Sequence, residues 1–229
     1  MELLIALVLS VLFAFVLRKS IKQYAIAYYI VAVAVDVLFL SRVLFDVSRG
    51  FAVLTSPYIM RCLVGFGLFS VVMFIGIFSE KSKVRRMLMP IRGELSIIAA
   101  ILVVGHVVNY LESYLAQILA GFAGMSVGMT LSFVVSSLLI VLLAVLTVTS
   151  FNAVKKSMNP NRWKAVQRMA YAFFGLTYLH LVLVLLPTIS STGQKAALSI
   201  AVYSIIMLLY VMLRVRKAWI DRGNAVVHV

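Results

Sequence analysis

The chain has 229 residues, 64% of them hydrophobic, with a mean hydropathy of +1.11 and a formal charge of +14 from 21 Lys and Arg against 7 Asp and Glu. A soluble domain is about 45–50% apolar, and a chain this short cannot hide so much apolar surface in one aqueous core, so an ordinary soluble enzyme is excluded. The basic excess falls in clusters between apolar runs, which is the pattern of membrane topology rather than of nucleic-acid binding.

A spanning helix needs about 20 mostly apolar residues. Seven runs qualify, at 2–17, 23–41, 57–79, 94–115, 129–151, 166–187 and 197–213. The first and last are short, which suits a different tilt or a partly interfacial position. In lipid, backbone groups find no water, so each run must bond internally as a helix, and each is too long for a barrel strand. The expected fold is an all-α polytopic membrane helix bundle of about seven transmembrane helices, forming a single membrane domain over 1–229. The first run, Met1–Leu17, lacks a basic leader and a clear cleavage site, so it is expected to be a retained helix rather than a signal peptide. The one cysteine, Cys62, lies inside an apolar run, so no disulfide within the chain is possible and no redox compartment follows from it.

The charges test this division. Arg18, Lys19 and Lys22 follow the first run, and Lys81, Lys83, Arg85, Arg86 and Arg92 follow the third. Lys155, Lys156, Arg162, Lys164 and Arg168 follow the fifth, and Arg214, Arg216, Lys217 and Arg222 follow the seventh. Thus 17 of the 21 basic residues sit on alternate connections. The other side carries Arg42, Arg49 and Lys195, with Arg61 just inside the third run. By the positive-inside rule the chain is expected in the cell membrane with its N-terminus outside and its C-terminus cytoplasmic. The longest polar stretches are 80–93, 152–165 and 214–229, and none holds a Gly-rich phosphate loop or a nucleotide-binding pattern. Any soluble catalytic domain would belong to a partner. Twice a basic loop with a proline (Pro90, Pro160) precedes a helix with a histidine, which hints at a parallel repeat.

Of three histidines, His228 is in the tail and is given no role, whereas His106 and His180 lie inside the fourth and sixth runs. Ionisable groups at such depth default to a functional reading. His106 is 12 residues beyond Glu94, and His180 is 12 beyond Arg168. Each imidazole therefore sits ~18 Å above the inner charge line, in the outer half of a hydrocarbon core about 30 Å thick. Both helices run from inside to outside, so the rings can face each other at one level. Three readings stay open: an axial pair for a haem iron, packing histidines bonded to a Ser, Thr or Asn of a neighbouring helix, and a proton or metal pathway. Asn109 marks the same face as polar. A haem would want cations for its propionates at the outer level, and Arg61 and Arg42 are the candidates. Asp36, 14 residues after Lys22, is an alternative, purely structural partner for Arg61.

Two stretches carry a resemblance. One is Met89-Pro90-Ile91-Arg92-Gly93-Glu94-Leu95-Ser96, leading to Gly105-His106 and Asn109-Tyr110. The other is Asn159-Pro160-Asn161-Arg162-Trp163-Lys164, then Val166-Gln167-Arg168 and Tyr171, ending in Tyr178-Leu179-His180. Together they resemble the ferric reductase-like transmembrane domain family, and within it bacterial haem-binding membrane subunits such as the one serving periplasmic methionine sulfoxide reductase. The resemblance covers 57–187 and implies a six-helix haem-binding core plus one helix. It further implies one or more b-type haems held by histidines, with His106 and His180 at the matching positions, and electron transfer through the membrane.

Members with two stacked haems carry a second histidine 13–14 residues before each outer one; here those positions are Arg92 or Gly93, and Val166 or Gln167. A single outer haem is therefore expected. Gln167-Arg168 also stands where relatives often have a His-Arg step, which leaves a complete transmembrane relay in doubt. Electrons would come from a quinol, from a partner redox protein or by way of a bound flavin. The leading expectation is a haem b-binding membrane electron-transfer subunit of an oxidoreductase, exchanging electrons with an extracytoplasmic or cytoplasmic partner. Trp163 and the basic loops are either a docking face or an interfacial anchor. The rival is a non-haem membrane transporter or assembly factor in which both histidines serve packing or an ion pathway.

Overall fold

The computed structural model describes residues 2–45 and 57–227, and within its helices it does not describe the side chains of 42–45, 191–192 and 223–227. Arg49 and His228 lie outside the described residues. The chain is all helical, with no strand among the described residues. The helices are α1 (Glu2–Val16), α2 (Arg18–Gln23), α3 (Ala25–Phe45), α4 (Leu63–Ile75), α5 (Lys83–Leu88), α6 (Arg92–Leu119), α7 (Val127–Val148), α8 (Asn152–Ser157), α9 (Pro160–Leu185), α10 (Ile189–Thr192) and α11 (Gln194–Val227). A 3-10 turn, Met89–Ile91, joins α5 to α6. Each of the seven predicted runs overlaps an apolar helix, the third only in part. Four helical segments, Lys83–Leu119, Val127–Val148, Pro160–Leu185 and Gln194–Arg222, are long and apolar enough to cross a membrane; Glu2–Val16, Ala25–Ser41 and Leu63–Ile75 are shorter.

Local chemistry moves several boundaries. α9 begins six residues before the predicted run because Asn159 Oδ1 accepts from the backbone N–H groups of Asn161 and Arg162, and Pro160 suits the first helical position. α7 is capped likewise by Ser126 Oγ, which accepts from Met129 N. α11 continues well past 213 because its charged end still pairs along the helix, with Lys217 Nζ 3.0 Å from Asp221 Oδ1. The third run breaks: 57–60 is helical, 61–62 is a turn and Cys62 takes φ 55°, ψ 26° before α4 starts.

α4 is the hub. Ten of its 13 residues are buried, as expected of a helix apolar on every side. It packs on α1 and α6, while α3 packs on α6, and α9 packs on α7 and α11. Lipid gives little hydrophobic drive between helices, so close approach depends on small residues. Gly65 and Gly67 supply it: a Cβ on Gly65 would lie 2.7 Å from Val103 Cγ2, and one on Gly67 would overlap Ser10. Aromatic rings lock α4 to α9 and α11. Phe66 meets Tyr203 edge-on at 4.9 Å and stacks on Phe174 at 6.0 Å, and Phe174 meets Tyr210 at 5.2 Å. The outward faces are apolar too, with Val16, Ile26, Val127 and Leu208 each more than 60% exposed. So large an apolar surface marks a membrane protein.

Candidate functional site

His106 is on α6 and His180 on α9. The two helices are not among the closely packed pairs. His106 Nδ1 lies 2.6 Å from the carbonyl oxygen of Met60. A carbonyl only accepts, so Nδ1 carries the proton and Nε2 keeps its lone pair. His180 Nδ1 lies 3.1 Å from Ser136 Oγ and 3.3 Å from Ser132 Oγ on α7. Ser136 Oγ already donates to the Ser132 carbonyl at 2.7 Å, so it accepts from His180 Nδ1. The two histidines thus share one tautomer, each with Nδ1 held by a neighbouring element and with no hydrogen bond at Nε2 among the described residues. Tyr110 flanks the His106 ring at 5.1 Å.

The turn at 61–62 makes the first of these bonds. A helix uninterrupted through 62 would direct the Met60 carbonyl along its own axis. The left-handed backbone at Cys62 breaks the axis, and Cys62 N bonds back to Ile59 O at 2.9 Å, leaving the Met60 carbonyl aimed at α6. A non-glycine residue in this conformation costs about 1–2 kcal/mol.

Asp36 and Arg61 do not pair. Asp36 is 6% exposed, and its Oδ2 accepts from Gly105 N at 3.1 Å. The missing side chain of Gly105 allows this approach, since a Cβ there would lie 2.5 Å from Asp36 Oδ1. Asp36 therefore fastens α3 to α6 one residue before His106. Arg61 instead reaches Glu2 at 2.9 Å, with both side chains well exposed; a surface pair of this kind is worth about 0–1 kcal/mol. Arg61 also lies within electrostatic reach of Tyr110 and Tyr203, at the same end of the bundle as His106. Arg42 is on α3, but its side chain lies outside the described residues. The structure thus places His106 beside the Met60 turn that also carries Arg61, and His180 against α7, with no hydrogen bond or ring contact between the two imidazoles among the described residues.

The part of the bundle around Arg92, Thr149 and Gln167 is laced with polar bonds. Gln167 Nε2 donates to Thr149 Oγ1 at 2.9 Å, and Trp163 Nε1 donates to the Thr149 carbonyl at 2.9 Å. Ser96 and Ser150 hydroxyls meet at 3.2 Å, and Arg92 Nε donates to the Val72 carbonyl at 3.2 Å. Trp163 is half-buried in this stitching, with Lys155 Nζ 4.7 Å from its ring centroid. A cleft of about 150 Å³ remains between these groups. A second, apolar cleft of about 780 Å³ opens between α1, α3, α4 and α6. Neither is lined by His106 or His180. Among the described residues no three His, Cys, Asp or Glu side chains converge as a metal site.

The partners of the histidines were not all hidden in the sequence. Ser132 and Ser136, four apart, fall on one face of their helix and mark it as polar. Nothing in the sequence marks the Met60 carbonyl.

No family model matches the chain. No solved structure matches it. A protein of Treponema pallidum (strain Nichols), described as an uncharacterized protein, is 34% identical over 232 residues, covering 98% of this chain. The chain spans 63% of the length of that relative.

Proposed function

We propose that the chain is a haem b-binding membrane electron-transfer subunit that exchanges electrons with a partner redox protein, a quinol or a bound flavin. In this reading all seven apolar helices cross the membrane, with the N-terminus outside and the C-terminus cytoplasmic. One observation carries it. His106 and His180 each have Nδ1 tied to a hydrogen-bond acceptor from another element, with no hydrogen bond at Nε2 among the described residues. Ligating histidines are oriented in this way, because the bond at one nitrogen fixes the tautomer and raises the basicity of the other. The donor set fits a bis-histidine haem, with Arg61 and Arg42 as partners for propionates. The haem would supply one-electron redox chemistry; the chain holds its two imidazoles in place and surrounds them with apolar helices. Arg92 or Gly93, and Val166 or Gln167, stand where a second pair of histidines would be needed, so one haem per chain is expected.

The same bonds support the rival reading, since each histidine already has a partner and can serve packing alone in a transporter or assembly factor. Oxidised and reduced visible spectra of the chain purified from haem-replete cells decide between them. The haem reading expects a Soret band that is lost in both His106→Ala and His180→Ala. Colourless protein, or a band that survives both substitutions, overturns it.

A further inference from the structure

Three arginines from three different elements meet at the C-terminal end of α4. Arg85 comes from α5, Arg92 from the start of α6 and Arg214 from the middle of α11. Arg92 lies within electrostatic reach of both others and of the Tyr171 and Tyr210 rings. Each guanidinium touches a carbonyl of or just after α4. Arg92 donates to Val72 at 3.2 Å, Arg214 to Gly76 at 3.5 Å and Arg85 to Phe78 at 3.0 Å. Arg214 also lies 5.1 Å over the Tyr171 ring. Part of this is structural, because cations and donors favour a helix C-terminus.

The helix end does not use up the cluster. A guanidinium has five N–H donors. Arg92 and Arg214 each give one to α4, and neither forms an ion pair with a carboxylate among the described residues. The one carboxylate paired with the cluster among the described residues is Glu80, 3.2 Å from Arg85 Nη2, and its side chain is 85% exposed. Three half-buried positive charges thus face one solvated negative charge. Like charges so gathered repel, and a bound anion with several acceptor oxygens removes that repulsion. Arginine forks suit phosphate oxygens, which accept from two N–H groups at once.

We propose that Arg85, Arg92 and Arg214 form a binding site for a phosphate group, supplied by the headgroup of an anionic glycerophospholipid. The site lies where apolar α4 ends and α11 passes from its apolar to its charged part, which is the level of a lipid phosphate. It does not depend on the haem reading.

The test uses the full chain in detergent, with native mass spectrometry of added phosphatidylglycerol, phosphatidylcholine or inorganic phosphate. Phosphatidylglycerol is expected to bind in preference to phosphatidylcholine. The double variant Arg85→Gln/Arg214→Gln is expected to weaken it roughly tenfold or more, while Arg86→Gln/Arg216→Gln, which removes the same charge from neighbouring exposed positions, is expected to leave it nearly unchanged. If the first double variant fails to fold, Arg214→Lys keeps the charge, loses the fork and is expected to weaken binding alone. Binding of inorganic phosphate that depends on the same arginines would keep the site and assign it a soluble phosphate. Equal loss in both double variants, equal binding of the two lipids, or no binding of any probe would overturn it.

Discussion

At the scale of single residues, the histidines depend on acceptors that reach them from other helices. Ser136 fixes the orientation of His180 through a 3.1 Å bond. If His180 ligates haem, Ser136→Ala should weaken haem retention roughly 10–100-fold, the usual effect of losing such support. Titration of the haem-free chain with haemin measures it, and retention equal to that of the parent would remove Ser136 from the site. Gly105 works differently. It admits Asp36 to within hydrogen-bond reach of the α6 backbone, so Gly105→Ala should force the two helices apart at a cost of about 1–3 kcal/mol. A thermal melt in detergent should show a lowered midpoint, and an unchanged melt would mean that the pair is not tightly seated. Residue identity made His106 and His180 readable from the sequence, because an imidazole in an apolar run stands out. The pairing of Glu2 with Arg61 was not readable, because 59 positions separate them and only the packing of α1 on α4 joins them.

At the scale of elements, α4 shows how much a helix can owe to its neighbours. Its sequence reads as one continuous apolar run from 57, with neither glycine nor proline at 61–62, so the break at Cys62 has no local signature. The break is a tertiary effect: a left-handed residue is tolerated where the Met60 carbonyl gains the His106 bond and Leu63 and Phe66 enter the core. By contrast, the start of α9 is fully local. Asn159 precedes Pro160, and its side chain meets two backbone donors of the first turn. Asn159→Ala should therefore cost about 1 kcal/mol, with faster hydrogen exchange confined to the first turn of α9. Protection unchanged at 161–163 would show that the cap is not what holds that end. Apolar length and capping residues were thus legible, whereas the kink and the amphipathic link α2 were not. α2 is only six residues long, too short for periodicity to register, and only Ile21 of it is buried.

At the scale of the whole molecule, the alternation of charge predicts which ends of the helices share a side. Single cysteines at Ser82, between α4 and α5, and at Lys195, at the start of α11, should label from opposite sides of the membrane in a Cys62→Ser background. An impermeant maleimide applied to intact cells should reach 195 and not 82; the reverse, or labelling of both, would overturn the proposed orientation. α11 is 34 residues long, which is ~51 Å of helix, against a hydrocarbon core of about 30 Å. Tyr203 and Tyr210 clamp its first half into the aromatic layer with Phe66 and Phe174, and Lys217 and Asp221 pair along the part beyond. α11 is therefore about 20 Å longer than one crossing of such a core needs, so in the proposed orientation a partner in the aqueous phase meets helix there rather than loop.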